Sequence, residues 1–162
     1  MSNRIVPNTP EPRRRLPLRR CSFRFIGRPE SVKAARRWLE HKLTLSDAPP
    51  STVEDALLLL SELATNNIQH VPDRTAKPGD FYVRVFLFQR RLRVEIGDAH
   101  RRRPVFQLLS PDATDEGGRG LVLVNALASS WGRFQSVLGP GMFFELCWEA
   151  PAPVIPLQRE GR

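Results

Sequence analysis

The stretch Glu62-Leu-Ala-Thr-Asn-Asn-Ile-Gln-His70 decides the fold class. It ends a segment that follows a proline pair and whose apolar residues recur every three or four positions, which predicts a helix with one buried face. The apolar stripe consists of Val53, Leu57, Leu60, Ala64 and Ile68. Because Glu62 and Asn66 lie four residues apart, they project from the same side of this helix, and that side is not the apolar one.

The side chains of Glu62 and Asn66 have the chemistry of a candidate site. A carboxylate can accept a proton, and a neighbouring carboxamide can bind Mg²⁺, which prefers hard oxygen ligands. A solvated helix face is the alternative interpretation. The Glu-x-x-x-Asn spacing alone does not separate the two.

A second candidate is Asp98, which follows the strand-like run Val94-Glu-Ile at the start of a long connection over 99–116. The end of a strand holds a side chain in a fixed position. An ionised carboxylate there can accept a hydrogen bond from an exocyclic amine such as that of adenine. The alternative is a carboxylate that simply starts a turn.

A third candidate is Gly117-Gly118-Arg119-Gly120, which leads into an apolar helical run that begins at Leu121. Without side chains, backbone N–H groups at a helix start can approach phosphate closely. Glycines are also common at loop-to-helix junctions that bind no ligand. In the order helix, strand end and glycine-rich helix start, the three candidates would form a nucleotide cleft with a lid. No GxxxxGK[ST] motif is present, which excludes a P-loop.

The patterns around these positions predict the remaining elements. Strand-like runs occur at 21–26, 81–88, 92–96, 134–138 and 142–148, and further helices are expected from Pro29 and Leu121. Strands and helices come in groups rather than in strict alternation. This order favours an α+β two-layer sandwich with the helices on one face of a mostly antiparallel or mixed sheet.

The length of 162 residues fits one domain. We expect a folded unit over 19–150, between a basic, proline-rich tail at 1–18 and a flexible tail at 151–162. The formal net charge is +8, but six arginines and one glutamate in residues 1–20 contribute +5 of it, which leaves +3. Because phosphate binding needs basic groups clustered on the folded surface, we do not expect nucleic acid as a partner.

The sequence also lacks the signals of a membrane or exported protein. Its longest aliphatic run, 56–60, is far shorter than the roughly 20 residues that cross a bilayer. The arginines at 13–15 are not followed by the apolar run of an export signal, so a cytoplasmic location is expected. Cys21 and Cys147 form no CxxC motif and are predicted to be buried thiols rather than a disulfide or metal site.

Four segments together resemble the Bergerat-type ATPase fold of the GHKL proteins, which is shared by gyrase, histidine kinases and MutL. The resemblance is strongest to the small anti-sigma-factor serine/threonine kinases of the RsbW and SpoIIAB type, and it spans about residues 20–148. The helix segment 62–70 resembles the N-box, and Val94-Glu-Ile-Gly-Asp98 resembles the first glycine-box region. Gly118-Arg-Gly-Leu-Val-Leu-Val124 resembles the second, and Phe143-Phe-Glu-Leu146 the closing strand.

This resemblance implies an ATP and Mg²⁺ site and a role for each residue. Glu62 would orient or deprotonate the attacking hydroxyl as the catalytic residue, Asn66 would bind Mg²⁺, and Asp98 would read adenine. The residues implied to bind the cofactor beside its phosphates are Gly118, Arg119, Gly120 and Leu121, and the two glycines among them would be hinges of the lid.

The resemblance also implies partners. Because only about 20 residues precede the domain, we expect a free-standing module rather than a histidine kinase, which needs an upstream dimerisation module. The implied protein holds a sigma factor and uses ATP to phosphorylate a serine or threonine on a small STAS-type anti-anti-sigma antagonist, in a partner switch. A homodimer is also implied.

Three positions depart from the family pattern. His100 stands where many relatives have a glycine, Gly141 where a threonine commonly helps to hold adenine, and Asn67 where a small residue is usual. These departures motivate an alternative function, a non-catalytic regulator that sequesters a sigma factor or another partner through the same fold. A nucleic-acid-binding protein, suggested by the arginines at 13–15, 19–20 and 101–103, is the third hypothesis.

Overall fold

The computed structural model describes residues 16–69, 79–99 and 118–152. Three helices and five strands lie within these ranges. In chain order they are β1 (Arg19–Phe25), α1 (Pro29–Leu43), α2 (Pro50–Gln69), β2 (Phe81–Phe88), β3 (Arg91–Asp98), α3 (Gly118–Leu127), β4 (Ser130–Ser136) and β5 (Gly139–Cys147). The predicted tails lie mostly outside these ranges, and the domain limits stay a prediction.

The five strands form one open sheet in the order β1-β2-β3-β5-β4. Every neighbouring pair is antiparallel. Helix α2 packs on β2, β3 and β5, and it also contacts α1 and α3. The predicted α+β two-layer architecture is therefore confirmed, and the sheet is antiparallel throughout.

Helix α2 is the central element of the helical layer. Four of the five predicted stripe residues are buried, and Val53 is half-buried. Ala56, Leu59 and Leu63 are buried as well, so the apolar face is wider than the stripe predicted from sequence. The reason is that the sheet covers one side of α2 while α1 and α3 cover its flanks.

The sheet presents an aliphatic and aromatic surface to the helices. Because side chains alternate along a strand, one face carries Val83 and Val85 from β2 and Val94 and Ile96 from β3, all at most 1% exposed. Phe144 on β5 lies beside Val94 in register and is fully buried. Each such side chain contributes about 1.5–3 kcal/mol by leaving water.

One prediction about the C-terminal hairpin is wrong in detail. The strand expected at 134–138 runs from Ser130 to Ser136, because a turn begins directly after it. The Ser136 hydroxyl accepts the Leu138 N–H at 3.2 Å and donates to the Gly139 carbonyl at 3.2 Å. Gly139 has a φ of 123°, a conformation that glycine adopts without strain.

The two cysteines are free, as predicted, but they are not both buried. Cys21 is half-buried and Cys147 is exposed. Cys147 is the last residue of β5 and pairs with Arg91, so its side chain lies on the sheet face opposite to the helices. Strand-like flanking residues therefore predicted its secondary structure correctly and its burial incorrectly.

Candidate functional site

Helix α2 carries Glu62 and Asn66 at the border of the core. Both side chains are half-buried. Leu59 and Leu63 each precede one of them by three residues and are at most 2% exposed, so the same flank of the helix continues into the core. The pair therefore does not lie on a fully solvated helix face.

The start of α3 lies directly against this pair. Gly120 is buried, and a Cβ atom built on it would lie 2.9 Å from Glu62 Oε2 and 3.4 Å from Asn66 Nδ2. The Glu62 carboxylate therefore takes up the space that a side chain at position 120 would need. The glycine-rich helix start and the Glu62–Asn66 pair, separate in the sequence, thus meet in the fold.

Helix α3 is anchored so that this approach is maintained. Val124, one turn after Gly120, is fully buried in the core. After the helix, the Ala128 N–H donates to the Val124 carbonyl at 2.9 Å. Asn125 Oδ1 accepts a hydrogen bond of 3.3 Å from the indole of Trp131 on β4. These contacts fix the helix axis beside α2.

The other residues predicted for the phosphates belong to the same helix. Gly118 and Arg119 are its first two residues, and Leu121 is half-buried. The N–H groups of a first helical turn have no partner within the helix and carry partial positive charge. Since Gly120 lies within this turn, these donors are next to Glu62 and Asn66.

Asp98 lies at the end of the central strand. It is the last residue of β3 and pairs with Phe81, which is fully buried under the helices. One residue later, the Ala99 N–H donates to the Asp80 carbonyl at 2.9 Å and extends the ladder. By alternation Asp98 shares a face with Val94 and Ile96, which is the face that α2 covers. All of the predicted site residues are therefore on the helical side of the sheet.

These residues fit an ATP–Mg²⁺ group by their chemistry. Asn66 and Glu62 offer oxygen atoms, the ligands that Mg²⁺ prefers. The absence of a Cβ on Gly120 lets the start of α3 lie directly against Glu62 and Asn66, and the N–H groups of a helix start favour anionic phosphate oxygens. Asp98 supplies a carboxylate for a base amine on a rigid strand end.

The structure explains Gly141 differently from the sequence. A Cβ on Gly141 would lie 2.5 Å from Cζ of Phe134 and 2.7 Å from the Ile96 carbonyl oxygen. It would point to the sheet face opposite to Asp98, so a threonine at this position would not reach the helical side. Asn67 is half-buried on α2. The third departure, His100, lies outside the described residues, as do His70 and the arginines at 101–103.

Two further residues near Asp98 received no role from the sequence. A Cβ on Gly97 would lie 2.5 Å from Cζ of Tyr82 and 2.9 Å from its Cε1, so the tyrosine ring rests on the glycine. A glycine within a strand pattern often marks such a close approach. That signal was present at Gly97, but only the strand register reveals its partner.

Within the described ranges, no helix has both the length and the apolar character needed to cross a membrane.

Comparison with known proteins gives one family. The sequence model of one family, the histidine kinase-like ATPase domain, matches residues 25–139 of this chain. Among solved structures, the RsbU and RsbW domains of Rv1364c from Mycobacterium tuberculosis match with a TM-score of 0.58 and 16% identity. The alignment covers 80% of this chain and 32% of that one.

The histidine kinase domain of a blue-light-activated histidine kinase from Erythrobacter litoralis matches with a TM-score of 0.45 and 21% identity. That alignment covers 74% of this chain and 60% of the other. The chain thus spans less than two thirds of either solved chain. No curated protein matches it. The likeness to the Mycobacterium tuberculosis structure supports the fold.

Proposed function

Because the chain belongs to the histidine kinase-like ATPase family, we propose that it is an ATP- and Mg²⁺-dependent serine/threonine kinase that acts on a small antagonist protein. Membership of an ATPase family implies ATP binding. The observation that carries the proposal further is the contact of Gly120 with Glu62 and Asn66, since it joins the glycine-rich helix start to a potential base and a potential metal ligand.

Each residue has one task in this proposal. Asp98 accepts a hydrogen bond from the amine of adenine, and Asn66 holds Mg²⁺ through its side-chain oxygen. When bound, ATP supplies the phosphoryl group and Mg²⁺ offsets its negative charge. Glu62 orients the acceptor hydroxyl and takes its proton, because a carboxylate within reach of a hydroxyl is a general base.

The start of α3 orients the phosphates. Its backbone N–H groups at Gly118, Arg119, Gly120 and Leu121 are donors for phosphate oxygens, and the helix dipole adds to their attraction. The Glu62 carboxylate packs against this first turn of α3, since its Oε2 would lie 2.9 Å from a Cβ on Gly120. A hydroxyl bound beside this carboxylate would be near both the base and the helix start that holds the phosphates.

The partners follow from the resemblance to RsbW-type proteins. The solved Mycobacterium tuberculosis structure contains an RsbW domain together with an RsbU domain, which supports a regulatory setting for this fold. We extend to this chain a sigma factor and a STAS-type anti-anti-sigma protein as the two alternating partners. The homodimer and the cytoplasmic location remain part of the same proposal.

Nucleotide titration tests the first half of the proposal. Isothermal calorimetry with Mg-ATP is expected to show binding to the wild type and a loss of about tenfold or more in Asp98→Asn, because the charge-assisted hydrogen bond to the base disappears. Equal affinity of the two proteins would overturn the assignment of Asp98.

Phosphate transfer tests the second half. Transfer of radiolabel from ATP to the antagonist is expected to fall by about a hundredfold or more in Glu62→Ala, while ATP binding persists. Glu54→Ala is the matched control, since Glu54 is an exposed carboxylate on the same helix, and it should keep full transfer. Stable capture of the partner without any transfer by the wild type would select the non-catalytic regulator instead.

A further inference from the structure

On one face of the sheet no described helix packs, and we call it the uncovered face. Four residues form a row across it at the level just before Asp98. Tyr82 on β2 pairs with Gly97 on β3, Gly97 pairs with Gly141 on β5, and Gly141 pairs with Phe134 on β4. The neighbouring strands β3 and β5 thus contribute glycines, and the strands that flank them, β2 and β4, contribute aromatic rings. We call these four residues the aromatic–glycine row.

The rings of the row lean inward over the glycines. A Cβ on Gly97 would lie 2.5 Å from Cζ of Tyr82, and a Cβ on Gly141 would lie 2.5 Å from Cζ of Phe134. Real Cβ atoms do not approach other atoms so closely, because packing in folded proteins leaves no room for such overlap. Each ring therefore rests on the backbone of a central strand.

Further side-chain contacts hold the two rings in place. The guanidinium carbon of Arg84 lies 5.1 Å from the centroid of Tyr82 and 5.7 Å from that of Phe134. Arg84 is itself paired with Glu95 at 2.8 Å. The Tyr82 hydroxyl lies 3.5 Å from Oγ of Ser136 on β4, and Tyr82 is only 5% exposed. The tyrosine ring cannot move away without breaking these contacts.

The row fixes the strand end that presents Asp98. Gly97 is the residue directly before Asp98, and consecutive side chains point to opposite faces of a strand. The Tyr82 ring therefore supports β3 from behind, at the point from which the carboxylate projects toward the helical side. Hydrogen bonds weaken steeply when their distance or angle changes, so a small shift of this strand end would alter recognition of the base.

We propose that Tyr82 is a positioning residue for nucleotide recognition, which acts through its contact with Gly97 on the placement of Asp98. This inference rests on the proposed function, in which Asp98 accepts a hydrogen bond from adenine. It predicts that Tyr82 contributes to the choice of base and not only to stability. The measured quantity is the ratio of the GDP and ADP dissociation constants, since guanine has a carbonyl where adenine has its amine.

Substitution of Tyr82 gives the first test. Tyr82→Ala is expected to weaken ADP binding about tenfold and to leave GDP binding nearly unchanged, because only the adenine contact depends on the position of Asp98. The ratio of the GDP to the ADP dissociation constant should therefore fall. Both constants are measured at a temperature at which the variant is folded. Phe88→Ala is the matched control, since the Phe88 ring lies under Arg91 at 4.1 Å at the opposite end of the same strand. It should lower the melting temperature without changing the ratio.

Gly97→Ala tests the same contact from the other side. It replaces the first test if Tyr82→Ala does not fold. Its methyl group would displace either the ring or the strand, so the ratio should again shrink. In the double variant the ring is absent and the methyl group meets no obstacle. Its ADP affinity should therefore equal that of Tyr82→Ala alone, because substitutions at one contact are not additive. Additive losses would overturn the proposed contact.

The outcomes separate this inference from the proposed function. If the wild type does not discriminate between the two nucleotides, or if Asp98→Asn keeps the wild-type ratio, Asp98 does not read the base and the proposed function fails. If Asp98→Asn abolishes discrimination while Tyr82→Ala and Gly97→Ala keep it, only the positioning role of Tyr82 is overturned.

Discussion

The two faces of the sheet are built from different chemistry. The face under the helices carries aliphatic and aromatic side chains that are almost completely buried, such as Val83, Ile96 and Phe144. The uncovered face carries arginines, glutamates and aromatic rings, yet Glu95 on that face is only 7% exposed. Burial on one face comes from a second layer of helices, and on the other from the side chains themselves.

On the uncovered face, ion pairs between neighbouring strands shield the side chains from water. Glu95 lies between Arg84 at 2.8 Å and Arg93 at 2.9 Å, and Arg93 also reaches Glu145 at 3.1 Å. The Arg93 guanidinium lies 3.7 Å from the centroid of the Phe143 ring. Arginine suits this arrangement because its planar group stacks on a ring while its N–H groups bind carboxylates. The difference teaches that, among the described residues, side chains on a sheet face can bury one another without a second layer of helices.

The largest effect is expected on the helix-covered face. Leu60→Ala removes a fully buried side chain of α2 and should lower the free energy of unfolding by about 2–5 kcal/mol, because it leaves a cavity. Urea denaturation followed by far-UV circular dichroism measures this. Leu45→Ala is the control: Leu45 is 71% exposed, and its loss should change stability by less than about 0.5 kcal/mol. Similar costs for both variants would contradict the assignment of the core.

A smaller effect is expected on the uncovered face. Glu95→Ala leaves Arg84 and Arg93 without their shared carboxylate and should cost about 1–3 kcal/mol, less than for fully buried charges because these arginines keep 26% and 24% exposure. Asp80→Ala breaks the more exposed pair with Arg24 and should cost less than about 1 kcal/mol. Chemical denaturation of both variants tests the order. A larger loss in Asp80→Ala would show that the ion pairs do not close this face.

The helical side of the molecule is the part that the sequence predicts well. The periodicity around Leu57 and Ala64 places α2 correctly, and family-like motifs place Glu62, Asn66 and Gly120 on the elements where the structure has them. These signals are local, since each lies within one helix or at one helix start. Their meeting in one place follows only from the fold, because the sequence gives no distance between α2 and α3.

The uncovered face is the part that the sequence predicts poorly. Tyr82, Gly97 and Phe134 come from three strands. They meet because the strand order is β1-β2-β3-β5-β4, which the alternation within each single strand does not define. Cys147 shows the same limit. Its strand was predicted correctly, but its exposure depends on which face the register assigns to it.

Gly120→Ala separates stability from function at the border of the covered face. Alanine favours a helix over glycine by about 1 kcal/mol, while its methyl group would displace the end of the flexible Glu62 side chain. The free energy of unfolding should therefore change by less than about 1 kcal/mol, whereas phosphate transfer should fall. Ala126→Gly is the control in the same helix, at an exposed position. It should lose about 1 kcal/mol of stability and keep transfer. Full transfer in Gly120→Ala would show that this contact does not place Glu62.

The smallest effect distinguishes the two thiols. Burial raises the pKa of the Cys21 thiol above its ordinary value of 9.0, and nearby Lys42 opposes this shift. At pH 8 iodoacetamide should therefore modify the exposed Cys147 first, because the thiolate is the reacting form. Because the folded state favours the protonated Cys21, its contribution to stability is present below the pKa of the unfolded chain and is lost as the pH rises through the folded pKa. The stability of the wild type relative to Cys21→Ala should thus decline above pH 9.0. A constant difference between pH 7 and 11 would contradict the partial burial of this thiol.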